Sequence, residues 1–88
     1  MKTQFLSSFE RDLRKIRDRT VLESVGQAIR EIEAASRLSE INSMKKLSGP
    51  GDYYRIRIGE YRLGLMIIDD EILFVRCLNR RDIYKYFP

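Results

Sequence analysis

The apolar positions of this 88-residue chain change period partway along, from helical spacing to strict alternation. Phe9, Leu13 and Ile16 recur at intervals of four and three on an otherwise charged segment, the mark of one buried helical stripe. Ser7 and Glu10 fit a capping box, with Ser7 at the cap and Glu10 at the third helical position. Asp18-Arg19 interrupts the stripe. Thr20 with Glu23 repeats the capping pattern and opens a second helix, whose buried stripe is Leu22, Val25, Ile29 and Ile32 with Ala28 and Ala35 alongside. Two helices joined by so short a link predict an αα-hairpin. Met1–Leu6, ahead of them, predicts a short edge strand.

The second half alternates with period two. Ser36–Ser48 is a polar connector around Ile41, Met44 and Leu47, and Gly49-Pro50-Gly51-Asp52 is the strongest breaker in the chain. Three strands follow, about Tyr53–Ile58, Tyr61–Ile68 and Ile72–Leu78. Gly59-Glu60 between the first two is a two-residue hairpin signal, most simply a type II′ turn. That turn sets Ile58 against Tyr61, Arg57 against Arg62 and Arg55 against Gly64. For the next hairpin a three-residue loop, Asp69–Glu71, keeps Leu73, Val75 and Cys77 on the core face. A two-residue loop would bury Arg76, which is costly without a partner. The tail Arg80–Pro88 is either a short helical turn or an extended segment carrying Tyr84, Tyr86 and Phe87. The predicted architecture is α+β over a single domain, residues 1–88: an N-terminal strand, a helical hairpin and a three-stranded antiparallel meander, with both helices on one face of the sheet.

This reading separates the faces. Tyr54, Ile56, Ile58, Tyr61, Leu63, Leu65, Ile67, Leu73, Val75 and Cys77 turn toward the helices. Tyr53, Arg55, Arg57, Arg62, Gly64, Met66, Phe74 and Arg76 turn outward, to a face left open to solvent. Like charges directly opposed across a ladder are destabilising, so Arg57 facing Arg62 is a poor choice for structure alone. A phosphate between two guanidinium groups turns the repulsion into attraction. Charge distribution agrees with this. Residues 1–40 carry a net +1 and residues 41–88 a net +3, out of +4 for the chain. The excess positive charge therefore lies in the sheet half and favours an anionic partner.

Composition narrows the chemistry. There is no histidine, which removes the commonest general base and most transition-metal sites. The one cysteine, Cys77, cannot form an intrachain disulfide, and on a strand facing the core it reads as a small buried hydrophobe. No apolar run approaches the roughly 18 residues of a membrane span. A polar start after Leu6 argues against a secretory leader, so the expected location is cytoplasmic. Asp69-Asp70-Glu71 reads as a solvated loop, and neither a phosphate-cradling glycine loop nor a metal or cofactor site is expected. What remains is arginine, lysine and tyrosine: cations that clamp phosphate and stabilise developing negative charge, and Tyr84, which can exchange a proton or stack on a base. This set suits cleavage of RNA, whose 2′-hydroxyl is a built-in nucleophile.

Three segments together carry a resemblance: Leu47-Ser48-Gly49, Tyr54-Arg55-Ile56-Arg57-Ile58-Gly59-Glu60-Tyr61-Arg62-Leu63, and Arg80-Arg81-Asp82-Ile83-Tyr84. With them the chain resembles a RelE-type toxin of the RelE/ParE superfamily, over nearly its whole length. The resemblance implies a type II toxin–antitoxin toxin that inhibits translation by entering the ribosomal A site. There it would cleave mRNA as a metal-independent endoribonuclease without a cofactor. Implied partners are a cognate antitoxin, mRNA and the ribosome, with operator DNA reached only through the antitoxin complex and no membrane. Carried over by position, Arg62, Arg80 and Tyr84 are the catalytic residues. Arg62 would hold the transition-state phosphate, Arg80 would assist it or the leaving group, and Tyr84 would orient substrate or move a proton. Arg55, Arg57, Arg76, Arg81, Lys45 and Lys46 are the RNA- and phosphate-binding set.

The chain departs from the family pattern twice. Well-studied members carry lysines where Arg55 and Arg57 stand, and many carry a histidine where Asn79 stands. Both changes leave the general base open, with Tyr84 and Lys46 as candidates. Two other functions fit the same fold: a non-enzymatic ParE-like toxin that poisons gyrase, and a basic RNA- or antitoxin-binding module without activity.

Overall fold

The computed structural model describes residues 1–88. Its elements in chain order are β1 (Thr3–Phe5), α1 (Ser7–Arg14), α2 (Arg19–Ala34), a 3₁₀ turn (Leu38–Glu40), β2 (Lys45–Lys46), β3 (Tyr53–Ile58), β4 (Tyr61–Ile68), β5 (Glu71–Asn79) and α3 (Ile83–Tyr86). The strands form one sheet in the order β1-β5-β4-β3-β2, with β1 parallel to β5 and every other pair antiparallel. The α+β architecture is the one the sequence predicts. Lys45–Lys46 adds a fifth, edge strand where a connector was expected, pairing Lys45 with Arg55 and Lys46 with Tyr54.

Both helix starts differ from the capping reading. Leu6 occupies the cap of α1 with extended backbone and no side-chain bond, while Ser8 turns to the sheet. Asp18, not Thr20, caps α2: its Oδ1 accepts the backbone N–H of Thr20 at 2.9 Å and of Val21 at 3.4 Å. Two of the helix's orphan donors are satisfied that way. Along α2 the buried stripe is Val25, Ala28 and Ile32, flanked by half-buried Val21 and Ile29. At about 3.6 residues per turn Leu22 falls to the side of that stripe, and it is 37% exposed.

The largest correction concerns β5. Its connection to β4 is a two-residue turn, Asp69-Asp70, with φ of +51° and +63° and Ile68 opposite Glu71. Positive φ at both central residues is the type I′ geometry that matches strand twist, and aspartate tolerates it better than most residues. Such a turn should bury Arg76, yet it does not, because a β-bulge intervenes. Leu65 faces Phe74 while Gly64 faces Arg76, so Val75 is the extra residue and the parity of the strand reverses there. Before the bulge the core receives Ile72 and Phe74; after it, Cys77. Leu73 and Val75, expected inside, and Phe74, expected outside, have therefore exchanged places.

Where β1 ends, the outer edge of β5 around the bulge has no strand to pair with, and the cap and first turns of α1 supply the partners. Leu6 N–H donates to the Phe74 carbonyl at 3.0 Å and Ser8 Oγ–H to the Val75 carbonyl at 2.6 Å. The Asp12 carboxylate accepts the Cys77 N–H at 2.9 Å. Ser8 and Asp12, one helical turn apart, thus close the edge of β5 where β1 has ended, and no buried side-chain polar atom is left without a partner. Phe9 and Phe74, with ring centroids 5.2 Å apart, join the same helix to the core. Cys77 is buried there, and burial, helped by the Asp12 charge, pushes its thiol up to about 12. At pH 8 iodoacetamide should leave Cys77 unmodified in the folded protein and alkylate it in denaturant, measured by mass spectrometry. Because the folded pKa is raised, the thiol's contribution to stability is whole below its ordinary value near 9.0 and is lost as pH climbs from there toward 12. No helix is long and apolar enough to cross a membrane.

Candidate nucleic-acid interface

The β3–β4 hairpin has the predicted register: Ile58 faces Tyr61, Arg57 faces Arg62 and Arg55 faces Gly64. Gly59, with φ of +54°, supplies the positive first position that a II′ turn needs. On the side away from the main core two rows of residues cross the sheet. Lys45, Arg55, Gly64 and Arg76 make one row across β2, β3, β4 and β5; Arg57, Arg62 and Leu78 make the other.

This face is not wholly open, as the alternation alone implied. The C-terminal segment folds back over it. Phe87 is buried at 2% exposure, its ring edge-on to Tyr53 with centroids 5.6 Å apart. A Cβ on Gly64 would stand 2.8 Å from the Phe87 ring, so glycine is needed for the backbone of β4 to receive that side chain. Ile83 is fully buried as well. Gly64→Ala should lower stability by about 1–3 kcal/mol, as overpacking does elsewhere; chemical denaturation measures it, and Phe87→Leu in the same background should recover part of the loss.

The predicted site residues divide by their electrostatic partners. Lys45, Arg55, Arg57 and Arg81 have no acidic side chain within 4.0 Å. Arg62 has turned its Nη1 onto the carbonyls of Gly59 at 2.7 Å and Tyr61 at 2.8 Å, which draws its charge toward the turn opposite Arg57. Arg80 pairs with Glu60 at 2.8 Å, and its backbone N–H reaches the Glu60 carbonyl, so the start of the tail is tied to the hairpin turn. Tyr84 is 59% exposed on α3. Two residues differ from expectation. Lys46 alternates with Lys45 along β2, so the two leave the sheet on opposite faces, and Lys46 pairs with Asp52 at 3.5 Å. Arg76 is on the expected face, but its charge is matched by Asp12 through Nε at 2.7 Å and Nη2 at 3.1 Å. That hydrogen bond raises the Arg76 pKa beyond its already high value. The same guanidinium lies 5.7 Å from the centre of the Tyr86 ring.

Asp12 is the residue the sequence reading passed over. It is 4% exposed, and its signal is its spacing: three after Phe9 and four before Ile16, on the buried stripe of α1. A carboxylate in an apolar stripe demands a cationic partner. The arrangement as a whole is a small basic surface without a deep cavity, in which free cations from adjacent strands stand over a backbone held rigid by the sheet, with an exposed tyrosine on the segment folded across it. The chemistry of such a surface, guanidinium and ammonium groups without carboxylate partners, is complementary to a phosphodiester and to added charge on it.

A strand, helical hairpin and antiparallel meander carrying this basic face define a small toxin-like α+β protein. Residues 4–84 match the model of the ParE toxin of the type II toxin–antitoxin system parDE, and the chain belongs to that family. It is 36% identical to Toxin RelE3 of Methanocaldococcus jannaschii, over the full length of both chains. Its structure resembles the toxin in the RelB-RelE antitoxin-toxin complex from Methanococcus jannaschii, with a TM-score of 0.80 and 33% identity over 97% of this chain and 99% of that one. The YoeB dimer from Staphylococcus aureus shares the fold, with a TM-score of 0.71 and 21% identity over 91% of this chain and 97% of that one. This chain is a toxin of a type II toxin–antitoxin system.

Proposed function

We propose that this toxin is an endoribonuclease that cuts mRNA in the ribosomal A site, and that a cognate antitoxin holds it inactive. The observation that carries the reading is the ladder position of Arg57 directly opposite Arg62, with Arg55 and Lys45 in the adjoining row and no carboxylate paired to Arg55, Arg57 or Lys45. In RNA cleavage the 2′-oxygen attacks the neighbouring phosphorus, its proton leaves, and the bond to the 5′-oxygen breaks as that oxygen is protonated. Two negative charges accumulate on the phosphorane oxygens, and guanidinium groups at fixed positions stabilise them more than they stabilise the substrate.

Arg62 and Arg57 take the phosphorane, Arg55 and Lys45 the flanking phosphates, and Arg80 the leaving side. Arg81 adds a peripheral phosphate contact. Tyr84 is the proton-transfer group, since Lys46 faces away and is paired. Arg76 serves the site indirectly by tethering the strand and tail. The relative solved with RelB supports the antitoxin as partner. Purified toxin added to translating ribosomes should yield new mRNA 5′ ends at A-site codons, mapped by primer extension, with Tyr84→Phe slowing the cut more than it weakens binding. The ParE description of the matching family favours a second reading, a non-enzymatic gyrase poison. Gyrase-dependent DNA breaks without any mRNA cut would establish that instead.

A further inference from the structure

A second concentration of positive charge lies outside the sheet face. Between residues 11 and 19 the chain carries Arg11, Arg14, Lys15, Arg17 and Arg19, all exposed. None has an acidic side chain within 4.0 Å. The local acids are committed elsewhere or unpaired: Asp12 points inward to Arg76, Asp18 caps α2, and Glu10, four before Arg14, forms no ion pair. At about 100° per residue, Arg11, Arg14 and Lys15 share one side of α1, opposite Phe9 and Ile16 in the core.

Local stability does not account for this cluster. Cations at the end of α1 suit the helix dipole, but like charges three and four residues apart repel. Arg19, the first residue of α2, is a cation at the end of a helix that favours anions, and the first turn of α2 contains no acid. Repulsion of this kind is relieved by a polyanion. Four of the five residues are arginine, whose planar fork suits phosphate oxygens.

The surroundings distinguish between polyanions. The cationic side of α1 contains no aromatic residue to stack on an unpaired base, and no apolar groove to seat the side chains of a peptide. Only evenly spaced backbone charge is served. We infer that α1 and its junction with α2 form a second RNA-binding surface, one that grips the phosphate backbone of helical RNA independently of the strand held on the sheet face. Binding to helical RNA stands on these residues alone. Its use to dock the toxin on a ribosome rests on the function proposed above.

The test uses a 16-base-pair RNA duplex, the full-length protein and fluorescence anisotropy across a salt series. On a duplex, each phosphate that the protein neutralises adds about 0.9 to the steepness of log K against log salt. Arg11→Gln/Arg14→Gln and Arg17→Gln/Arg19→Gln should each reduce that steepness by about two, with melting temperatures equal to or above wild type. On ribosomes the same variants should raise KM and leave kcat unchanged. Wild-type slopes in both double variants overturn the inference. So does loss of binding to a poly-glutamate peptide with duplex binding intact, which would assign the surface to an acidic protein. If wild-type toxin makes no ribosomal cut but its duplex binding depends on α1, the endoribonuclease reading fails and this one stands.

Discussion

Arg62→Ala should reduce ribosome-dependent cleavage by about 10²–10³-fold, the usual effect of removing one preorganised donor from a developing anion. The loss should appear in kcat, because the charge on phosphorus grows only as the phosphorane forms. Stability should change by no more than about 0.5 kcal/mol, as for other substitutions near a solvent-facing turn. The variant loses two hydrogen bonds to the turn carbonyls of Gly59 and Tyr61, and it also ends the opposition of two guanidinium groups across the ladder. Single-turnover mapping of cut sites, beside a thermal melt, measures both quantities. Cleavage at the wild-type rate would remove Arg62 from the site.

Asp12→Ala should destabilise the fold strongly. The carboxylate is almost wholly buried and accepts three hydrogen bonds, two from Arg76 and one from the Cys77 backbone. Removing it leaves a guanidinium without its counter-charge and the Cys77 N–H on the edge of β5 without an acceptor. Breaking a buried ion pair from one side typically costs about 3–5 kcal/mol. Arg76 retains 26% side-chain exposure, so water recovers part of that and about 3 kcal/mol is expected. The double variant Asp12→Ala/Arg76→Met should be more stable than Asp12→Ala alone, since no unpaired charge then remains. Urea denaturation of the two single variants and the double closes the cycle. A loss below about 1 kcal/mol in Asp12→Ala would mean that the bulge does not depend on α1.

The consequence for function lies in the connections of Arg76. It joins α1 through Asp12 and lies against Tyr86 of the tail, while Arg80 ties the start of that tail to Glu60. Tyr84 is placed between these two attachments. The segment proposed to move a proton is thus held by an ion pair on one side and a cation–π contact on the other rather than by its own four-residue helix, which is too short to stand alone.

Residue patterning was enough to specify the helical hairpin, the β3–β4 register and the face carrying Arg55, Arg57 and Arg62. Those features follow from local periodicity and from a two-residue turn whose glycine admits positive φ, and both act over a few residues. The parity of β5, by contrast, was set by contacts distant in the chain. The bulge at Val75 is stable because Ser8 and Asp12, more than sixty residues earlier, satisfy its backbone. No pattern within the strand announces that. Long-range pairing likewise separated Lys45 from Lys46, once an edge strand imposed alternation on them, and bound Arg76 to Asp12. It also laid Phe87 over Gly64, covering part of a face that alternation left open. Hydrophobic spacing says which way a side chain points; only the assembled chain says what it meets there.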